Sequence, residues 1–93
     1  MARWLITGCS TGIGREIARA ALEDGQSVVV TARRAESVSD FADHFGDRAA
    51  IVALDVTDKD QITAAVRAAD ERFGGVDVLV NNAGNGYLSA VEE

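Results

Sequence analysis

The sequence of 93 residues has no proline, a single cysteine and no long apolar run. Since Cys9 has no partner for an internal disulfide, the chain is compatible with a reducing compartment. The longest apolar runs, such as residues 28–30, are far too short to cross a bilayer. The chain also opens without the pattern of a secretory signal, so we expect a cytoplasmic protein.

Positive charge is scarce as well: 9 Lys and Arg residues against 15 Asp and Glu residues give a formal net charge of −6. A surface this acidic argues against nucleic acid or an anionic membrane as the main partner. Any anionic ligand must therefore be held by local positive features. The sequence offers two of them, a helix N-terminus and the pair Arg33 and Arg34. No cluster has the spacing of metal ligands, so no metal site is expected.

The chain does contain a regular alternation of apolar β-type runs and helical stretches. This pattern predicts strands at residues 4–7, 27–31, 49–54 and 76–80. It predicts helices that begin at Ile13, Glu36 and Thr57 and end before Gly25, Gly46 and Gly74. Such alternation is typical of a single α/β domain with a parallel sheet and helices on both faces.

The apolar stripes predict which helix faces are buried. In the first helix they are Ile17, Ala20, Ala21 and Leu22, and in the third they are Ile62, Ala65, Val66 and Ala69. Residues 89–92 resemble the capping box of a further helix, and a fold that stops there is expected to be a fragment. The fourth strand, with Val76, Val78 and Val80, would then be an exposed edge through which the chain self-associates.

A glycine-rich turn, Thr-Gly-Cys-Ser-Thr-Gly-Ile-Gly, separates the first strand from the first helix. Glycine suits a sharp turn, a close approach of the backbone to a ligand, and tight packing of helix on strand. The free N–H groups of the helix's first turn then face the pyrophosphate of a dinucleotide. With this turn, the predicted fold is a Rossmann-like three-layer fold of strand order 3-2-1-4, the first half of a doubly wound dinucleotide-binding fold. The predicted contacts are Gly8, Ser10, Thr11, Gly12, Ile13 and Gly14. A purely structural turn is the alternative.

The spacing Gly-x-x-x-Gly-x-Gly resembles that of the short-chain dehydrogenase/reductase family, whose Thr-Gly-x-x-x-Gly-Ile-Gly signature is matched at every fixed position. Residues 81–84 are similar to the family's Asn-Asn-Ala-Gly, and residues 54–57 resemble its adenine-pocket segment. The Gly-Cys-Ser-Thr-Gly turn, the Thr-Ala-Arg-Arg stretch and the closing Val-Glu-Glu look most like the 17β-hydroxysteroid-dehydrogenase-like branch.

The resemblance implies an NAD(P)-dependent oxidoreductase that transfers a hydride between the cofactor and a carbonyl or alcohol substrate. It places Asp55 and Val56 at the adenine, and Asn82, Ala83 and Gly84 at the ribose, with the Asn82 amide also tethering neighbouring strands. From the residues alone, Asp55 could instead cap the third helix together with Thr57, and both roles can hold.

The family's catalytic Tyr-x-x-x-Lys pair has no match in this sequence. Tyr87 lacks a lysine four residues later, and the single lysine is Lys59, far upstream. The resemblance therefore implies the cofactor half of a longer enzyme, inactive alone, with the catalytic pair beyond residue 93. A non-catalytic nucleotide-binding or interaction module is the alternative.

The end of the second strand indicates which cofactor is preferred. Folds that use NAD commonly place an acidic residue there, which binds the ribose 2′-hydroxyl. This chain has Ala32, Arg33 and Arg34 instead, and a guanidinium can form charge-assisted bonds with a 2′-phosphate. The family pattern of an arginine after this strand and a hydroxyl in the glycine turn implies Arg33 with Ser10. We expect NADP(H) to be preferred over NAD(H); a solvated Arg-Arg loop is the alternative.

Two further residues are weighed against functional roles. Cys9 lies near a helix N-terminus, which can lower a thiol pKa, yet a redox role is not expected. His44 is the only histidine and follows no catalytic pattern, so we expect it at the surface.

Overall fold

The computed structural model describes residues 2–9, 12–55, 57–81 and 89–92. The five strands are β1 (Arg3–Thr7), β2 (Ser27–Ala32), β3 (Ala49–Ala53), β4 (Val78–Asn81) and β5 (Ser89–Glu92). The three α-helices are α1 (Gly12–Glu23), α2 (Asp40–Phe45) and α3 (Lys59–Phe73). Two short 3-10 helices, Ala35–Val38 and Gly46–Arg48, flank α2.

The strands form one sheet of order β3-β2-β1-β4-β5. The first four are parallel, and their register sets Leu5 of β1 opposite Val29 of β2 and Leu79 of β4. The predicted α/β class and the order 3-2-1-4 are therefore confirmed. Parallel pairing brings the carboxyl ends of β1 to β4 to one edge of the sheet, hereafter the carboxyl edge.

The core has two apolar clusters, one on each face of the sheet, because side chains alternate along each strand. On one face Ile6, Val28 and Val30 pack with residues of α1 and α2, including Leu22 and Phe41. On the other face the cluster combines strand residues with α3, and its buried members are Leu5, Val29, Ala50, Leu54, Ala65 and Ala69. All six residues of β2 are buried, as its β-branched composition predicts for a strand covered on both faces.

The helix faces differ in part from the predicted stripes. Ala65 and Ala69 of α3 are buried, but Ile62 and Val66 are 38% and 46% exposed. At about 100° per residue, these two side chains lie roughly 60° and 100° around the helix from Ala65. A strip of alanines lets α3 approach the sheet closely, and the larger side chains are left on its flanks. In α1, Ala20 is exposed, one position before the buried Ala21, so it too lies outside the buried stripe.

The third helix begins later than predicted, at Lys59 instead of Thr57. Asp58 is its N-cap, and its Oδ1 accepts hydrogen bonds from the N–H groups of Asp60 (2.9 Å) and Gln61 (3.3 Å). An aspartate whose backbone is extended is well suited to this position because its carboxylate satisfies N–H groups that have no partner in the helix.

The helix predicted over residues 36–45 is split into a 3-10 helix and α2. The Ser37 hydroxyl donates to the Arg34 carbonyl (2.7 Å), and the Ser39 hydroxyl donates to the Glu36 carbonyl (3.1 Å). Such side-chain bonds to the backbone compete with the regular helical pattern. The two short helices together bury Val38 and Phe41 in the same core.

Two expectations for the end of the chain are wrong. Residues 89–92 form β5, not the start of a helix, and β5 pairs antiparallel with β4. The fourth strand is consequently paired on both sides and is not an exposed edge, so the expected self-association through it has no support. Pairing with β5 satisfies the outer N–H and C=O groups of β4. This stabilisation comes from contacts between distant residues, which a local capping pattern does not predict. Val80 is buried, and Val76 and Val78 are partly buried.

No helix among the described residues is long and apolar enough to span a membrane. A cytoplasmic location stays a prediction.

A charged clasp joins the amino end of β1 to the segment before β4. The Arg3 backbone N–H and Nε both donate to Asp77 Oδ2 at 2.8 Å, and Nη2 donates to Oδ1 at 2.8 Å. Nη1 reaches the Gly74 carbonyl at 3.1 Å, and the Asp77 N–H donates to the Arg3 carbonyl at 2.7 Å. Because Asp77 holds Arg3 in this way, β4 begins at Val78 and not at Val76 as predicted.

The clasp makes stability depend on pH in a defined direction. The hydrogen bonds from Arg3 hold the Asp77 carboxylate ionised and lower its pKa from 3.8 to about 2. A depressed native pKa stabilises the fold above the unfolded pKa, and this contribution is lost as pH falls towards 2. In urea titrations we expect Asp77→Asn to lower the unfolding midpoint at neutral pH, with a difference from the parent that shrinks towards pH 2.

The matched control is Asp70→Asn, which alters an exposed carboxylate of α3 that has no ion pair among the described residues. We expect no comparable change of the midpoint difference with pH in that variant. A midpoint difference between Asp77→Asn and the parent that stays constant from neutral pH to pH 2 would rule out the clasp as its cause.

Candidate functional site

The predicted site residues follow the strand ends at the carboxyl edge. Gly8 comes after β1, Arg33 and Arg34 come after β2, and Asp55 lies two residues beyond β3. Ser10, Thr11, Val56, Asn82, Ala83 and Gly84 lie outside the described residues. The chain crosses to one side of β1 through α1 and to the other side through the later connection to β4. In open α/β sheets, ligands bind in the crevice outside the strand ends at such a reversal of strand order.

Two glycines of the turn have the backbone conformation that the sequence predicts. Gly8 and Gly12 have φ values of 69° and 66°, in the left-handed region that favours glycine. A Cβ added at Gly12 would meet no atom within 4 Å, so the space beside the start of α1 is open. Gly14 is buried in the first turn of α1, where a small residue permits close packing. Ile13 lies between Gly12 and Gly14, and 62% of its surface is exposed.

The inner side of this turn is anchored to β2. The Cys9 N–H donates to the Thr31 carbonyl at 2.8 Å, and the Thr31 hydroxyl donates to the Ile6 carbonyl at 2.8 Å. The Cys9 thiol donates to the same Ile6 carbonyl at 3.3 Å. These bonds fix the path of the turn relative to the first two strands.

Cys9 is fully buried, and burial raises the pKa of its thiol to about 11. Desolvation therefore outweighs the lowering effect expected near a helix N-terminus. A neutral, enclosed thiol fits the prediction that Cys9 has no redox role. His44 is exposed, as expected.

The segment after β2 presents two guanidinium groups at the edge. Arg33 and Arg34 are exposed, whereas Ala32 is buried at 2% in the core on the α1 face. The Leu54 N–H donates to the Ala32 carbonyl at 2.8 Å, which keeps the end of β3 beside this segment. Within the described part of the chain, neither guanidinium takes part in a salt bridge.

Asp55 is held by its neighbours as an ionised carboxylate. Its Oδ1 accepts hydrogen bonds from the Thr57 N–H (3.0 Å) and hydroxyl (2.7 Å), and its own N–H donates to Gln61 Oε1 (2.7 Å). The bonds from Thr57, and then the charge of Arg33, lower the Asp55 pKa against the effect of desolvation. The alternative that Asp55 caps α3 is wrong, because Asp58 occupies that position.

Two contacts at the carboxyl edge were not predicted from the sequence. The Thr7 hydroxyl donates to Asn81 Oδ1 at 3.1 Å and joins the last residues of β1 and β4, which are register partners. Asn82 lies outside the described residues, so the tether expected from its amide stays a prediction. Gln61 supports the backbone of Asp55 from the first turn of α3. The usable signal was the position of each polar residue at a strand end or a first helical turn.

The Asp55 network yields a measurable shift. Thr57→Val keeps the shape of the side chain but removes the hydroxyl that donates to Oδ1, so we expect the Asp55 pKa to rise towards its usual value of 3.8. A carboxyl ¹³C NMR titration of Asp55 measures it. Thr63→Val is the control, since that hydroxyl donates to the Lys59 carbonyl on α3. An Asp55 pKa that is unchanged in Thr57→Val would show that the hydroxyl bond does not stabilise the carboxylate.

Comparison with known proteins agrees with the fold and the motifs. Residues 3–93 match the family model of the short chain dehydrogenases. The oxidoreductase BOA17 of Botryotinia fuckeliana is 48% identical over 91 residues, which cover 97% of this chain and 33% of that protein.

Solved structures show the same arrangement. A short-chain dehydrogenase from Streptomyces avermitilis has a TM-score of 0.84 and 48% identity, covering 90% of this chain and 32% of that one. A 3-ketoacyl-(acyl-carrier-protein) reductase from Brucella melitensis, complexed with NADH, has a TM-score of 0.84 and 40% identity, covering 92% and 35%. The chain thus spans about a third of the length of these proteins. The chain has the strand order of a Rossmann-like fold, and its residues 3–93 match the family model. It therefore belongs to the short-chain dehydrogenase/reductase family.

Proposed function

We propose that this chain is the NADP(H)-binding part of a short-chain oxidoreductase. In a longer protein it would serve hydride transfer between NADP(H) and a carbonyl or alcohol substrate. The observation that carries the cofactor preference is the exposed pair Arg33 and Arg34 at the end of β2, beside an alanine in place of an acid. The resemblance to the 17β-hydroxysteroid-dehydrogenase-like branch stays a prediction, and it does not identify the substrate.

The glycine turn is suited to the pyrophosphate. The positive φ values of Gly8 and Gly12 bend the backbone around the start of α1, and the space beside Gly12 is free of protein atoms. The first-turn N–H groups of α1 lack partners within the helix and, with the helix dipole, favour an anion. A ligand with two phosphates therefore finds donors here despite the net charge of −6. Ser10, Thr11, Ile13 and Gly14 are the further contacts that we propose in this turn.

The Arg33–Arg34 segment is suited to a 2′-phosphate. Both guanidinium groups are exposed, and the charge of Arg33 lies close enough to the Asp55 carboxylate to interact with it. Planar guanidinium groups bind phosphate oxygens in a bidentate way, which favours NADP(H) over NAD(H).

Asp55 is suited to the adenine amino group. Thr57 occupies its Oδ1, while Oδ2 has no partner among the described residues and can accept a hydrogen bond. The lowered pKa keeps this carboxylate an acceptor. We propose the Val56 backbone as a second adenine contact and Asn82, Ala83 and Gly84 as contacts of the ribose next to the nicotinamide.

The bound cofactor would supply or accept the hydride at its nicotinamide ring. A proton donor for the carbonyl oxygen is a separate requirement, and this sequence has no Tyr-x-x-x-Lys pair. We therefore propose that the catalytic residues belong to a part of the protein beyond these 93 residues, and that the chain alone is inactive. The absence of a Tyr-x-x-x-Lys pair from this sequence also favours a second candidate function, a nucleotide-binding module without catalysis.

Arg33→Ala tests the preference for NADP(H). We expect the dissociation constant of NADPH to rise on the order of ten- to a hundredfold, the scale of one charge-assisted hydrogen bond, with little change for NADH. Fluorescence titration of the full chain with each reduced cofactor gives both constants.

A matched control is Arg67→Ala, which removes an exposed positive charge from α3 and leaves the carboxyl edge intact. Neither cofactor should respond to it by more than about twofold. Equal losses of NADPH and NADH affinity in Arg33→Ala would reject the phosphate role. Binding without turnover, in the longer protein as well, would favour the second candidate.

A further inference from the structure

Arg15 reaches from α1 to the segment that carries the two arginines of the carboxyl edge. It lies in the first turn of α1, directly after the glycine turn. Its Nη1 donates to the Ser37 carbonyl at 3.4 Å, and its Nη2 forms an ion pair with Asp40. The guanidinium also lies over the Phe41 ring, 4.7 Å from the centroid. Three contacts to one segment leave 25% of the Arg15 side chain exposed.

Ser37 connects Arg15 to the backbone of Arg34. Its hydroxyl and its N–H both donate to the Arg34 carbonyl, at 2.7 Å and 3.1 Å. Arg15 therefore fixes the Ser37 carbonyl, and Ser37 fixes the backbone of Arg34. This relay ends next to Arg33, in a segment whose guanidinium groups have no salt bridge among the described residues. The backbone is held while the side chains stay available.

We propose that Arg15 is a positioning residue for cofactor preference, which couples the glycine turn to the Arg33–Arg34 segment. The inference rests on the proposed function, because it assumes that the two loops bind two parts of one ligand. Pyrophosphate and 2′-phosphate are joined covalently through a ribose, so their sites must keep a fixed separation. A loop held in place before binding avoids the entropy cost of ordering its side chains on the ligand.

A direct contact between Arg15 and a phosphate is the competing explanation. The charge of Arg15 does reach the glycine turn, since it opposes the rise of the Cys9 pKa. Its ion pair with Asp40 and its position over Phe41, however, direct the guanidinium towards α2. Coupling to Arg33 and Arg34 distinguishes the two explanations, because a positioning residue acts only through the groups that it positions.

Arg19 offers a matched control on the same helix. Its guanidinium also lies over the Phe41 ring, at 5.9 Å, but within the described residues it makes no hydrogen bond to the Ser37 segment. Arg19→Gln therefore removes a comparable charge and a ring contact while it leaves the relay intact.

The experiment measures binding of adenosine 2′,5′-bisphosphate and of AMP to the full chain by calorimetry. These probes differ only in the 2′-phosphate. For Arg15→Gln we expect the dissociation constant of the bisphosphate to rise about three- to tenfold, the scale of a partly exposed ion pair. AMP binding, and both probes with Arg19→Gln, should change by less than about twofold. In an Arg33→Ala/Arg34→Ala background, Arg15→Gln should cause no further loss.

Each other outcome has a defined meaning. Equal losses for both probes would overturn the proposal, as would an Arg15→Gln effect that adds fully to that of Arg33→Ala/Arg34→Ala. A loss in Arg33→Ala without one in Arg15→Gln contradicts only the positioning role. Unchanged affinity in Arg33→Ala contradicts the proposed function, and the positioning role with it. Should Arg15→Gln not fold, Ser37→Ala removes one bond of the relay, and selective weakening of bisphosphate binding by about twofold or more decides in its place.

Discussion

Parallel pairing along β1 sets the geometry on which the other parts of this molecule depend. With β2 on one side and β4 on the other, β1 ends where the order of the strands reverses. The last residues of β1 and β4 are register partners, and Thr7 is bonded to Asn81 there. Every connection that leaves β1, β2 or β3 must therefore start from the same edge. The glycine turn, the arginine pair and Asp55 share that edge for this reason.

The sheet keeps this edge in place through bonds that do not involve the candidate ligand groups. Cys9 is bonded to Thr31, and Leu54 is bonded to Ala32, so the loops after β1 and β3 are both tied to β2 by backbone contacts. Apolar burial on both faces then makes β2 the most enclosed strand among those described. Because these backbone hydrogen bonds hold the loops in place, the polar side chains at the carboxyl edge remain available to a ligand.

Much of this could be predicted from local patterns. β-branched runs and glycine stops located the four parallel strands, and the motif spacing identified the family. The misplaced features depend on contacts that are distant in the sequence. Asp58 and Thr57 both belong to the residue types that cap helices, and the structure has Asp58 as the cap. Ser37 and Ser39 break a helical pattern through bonds to carbonyls, and β5 pairs with a strand eight or more residues away. The contact from Arg15 through Ser37 to Arg34 depends on α1 lying beside α2. No single sequence motif predicts that arrangement.

The clasp between Arg3 and Asp77 lies at the opposite end of the strands from the proposed binding edge. Arg48 adds to it there, with bonds to the carbonyls of Leu22 and Gln26 at 2.6 Å and 3.1 Å. The ionic and side-chain bonds that tie the strand starts together are thus separate from the residues proposed to contact a ligand. In a protein divided in this way, substitutions at positions 33 and 34 can alter the carboxyl edge while the bonds at its other end stay intact.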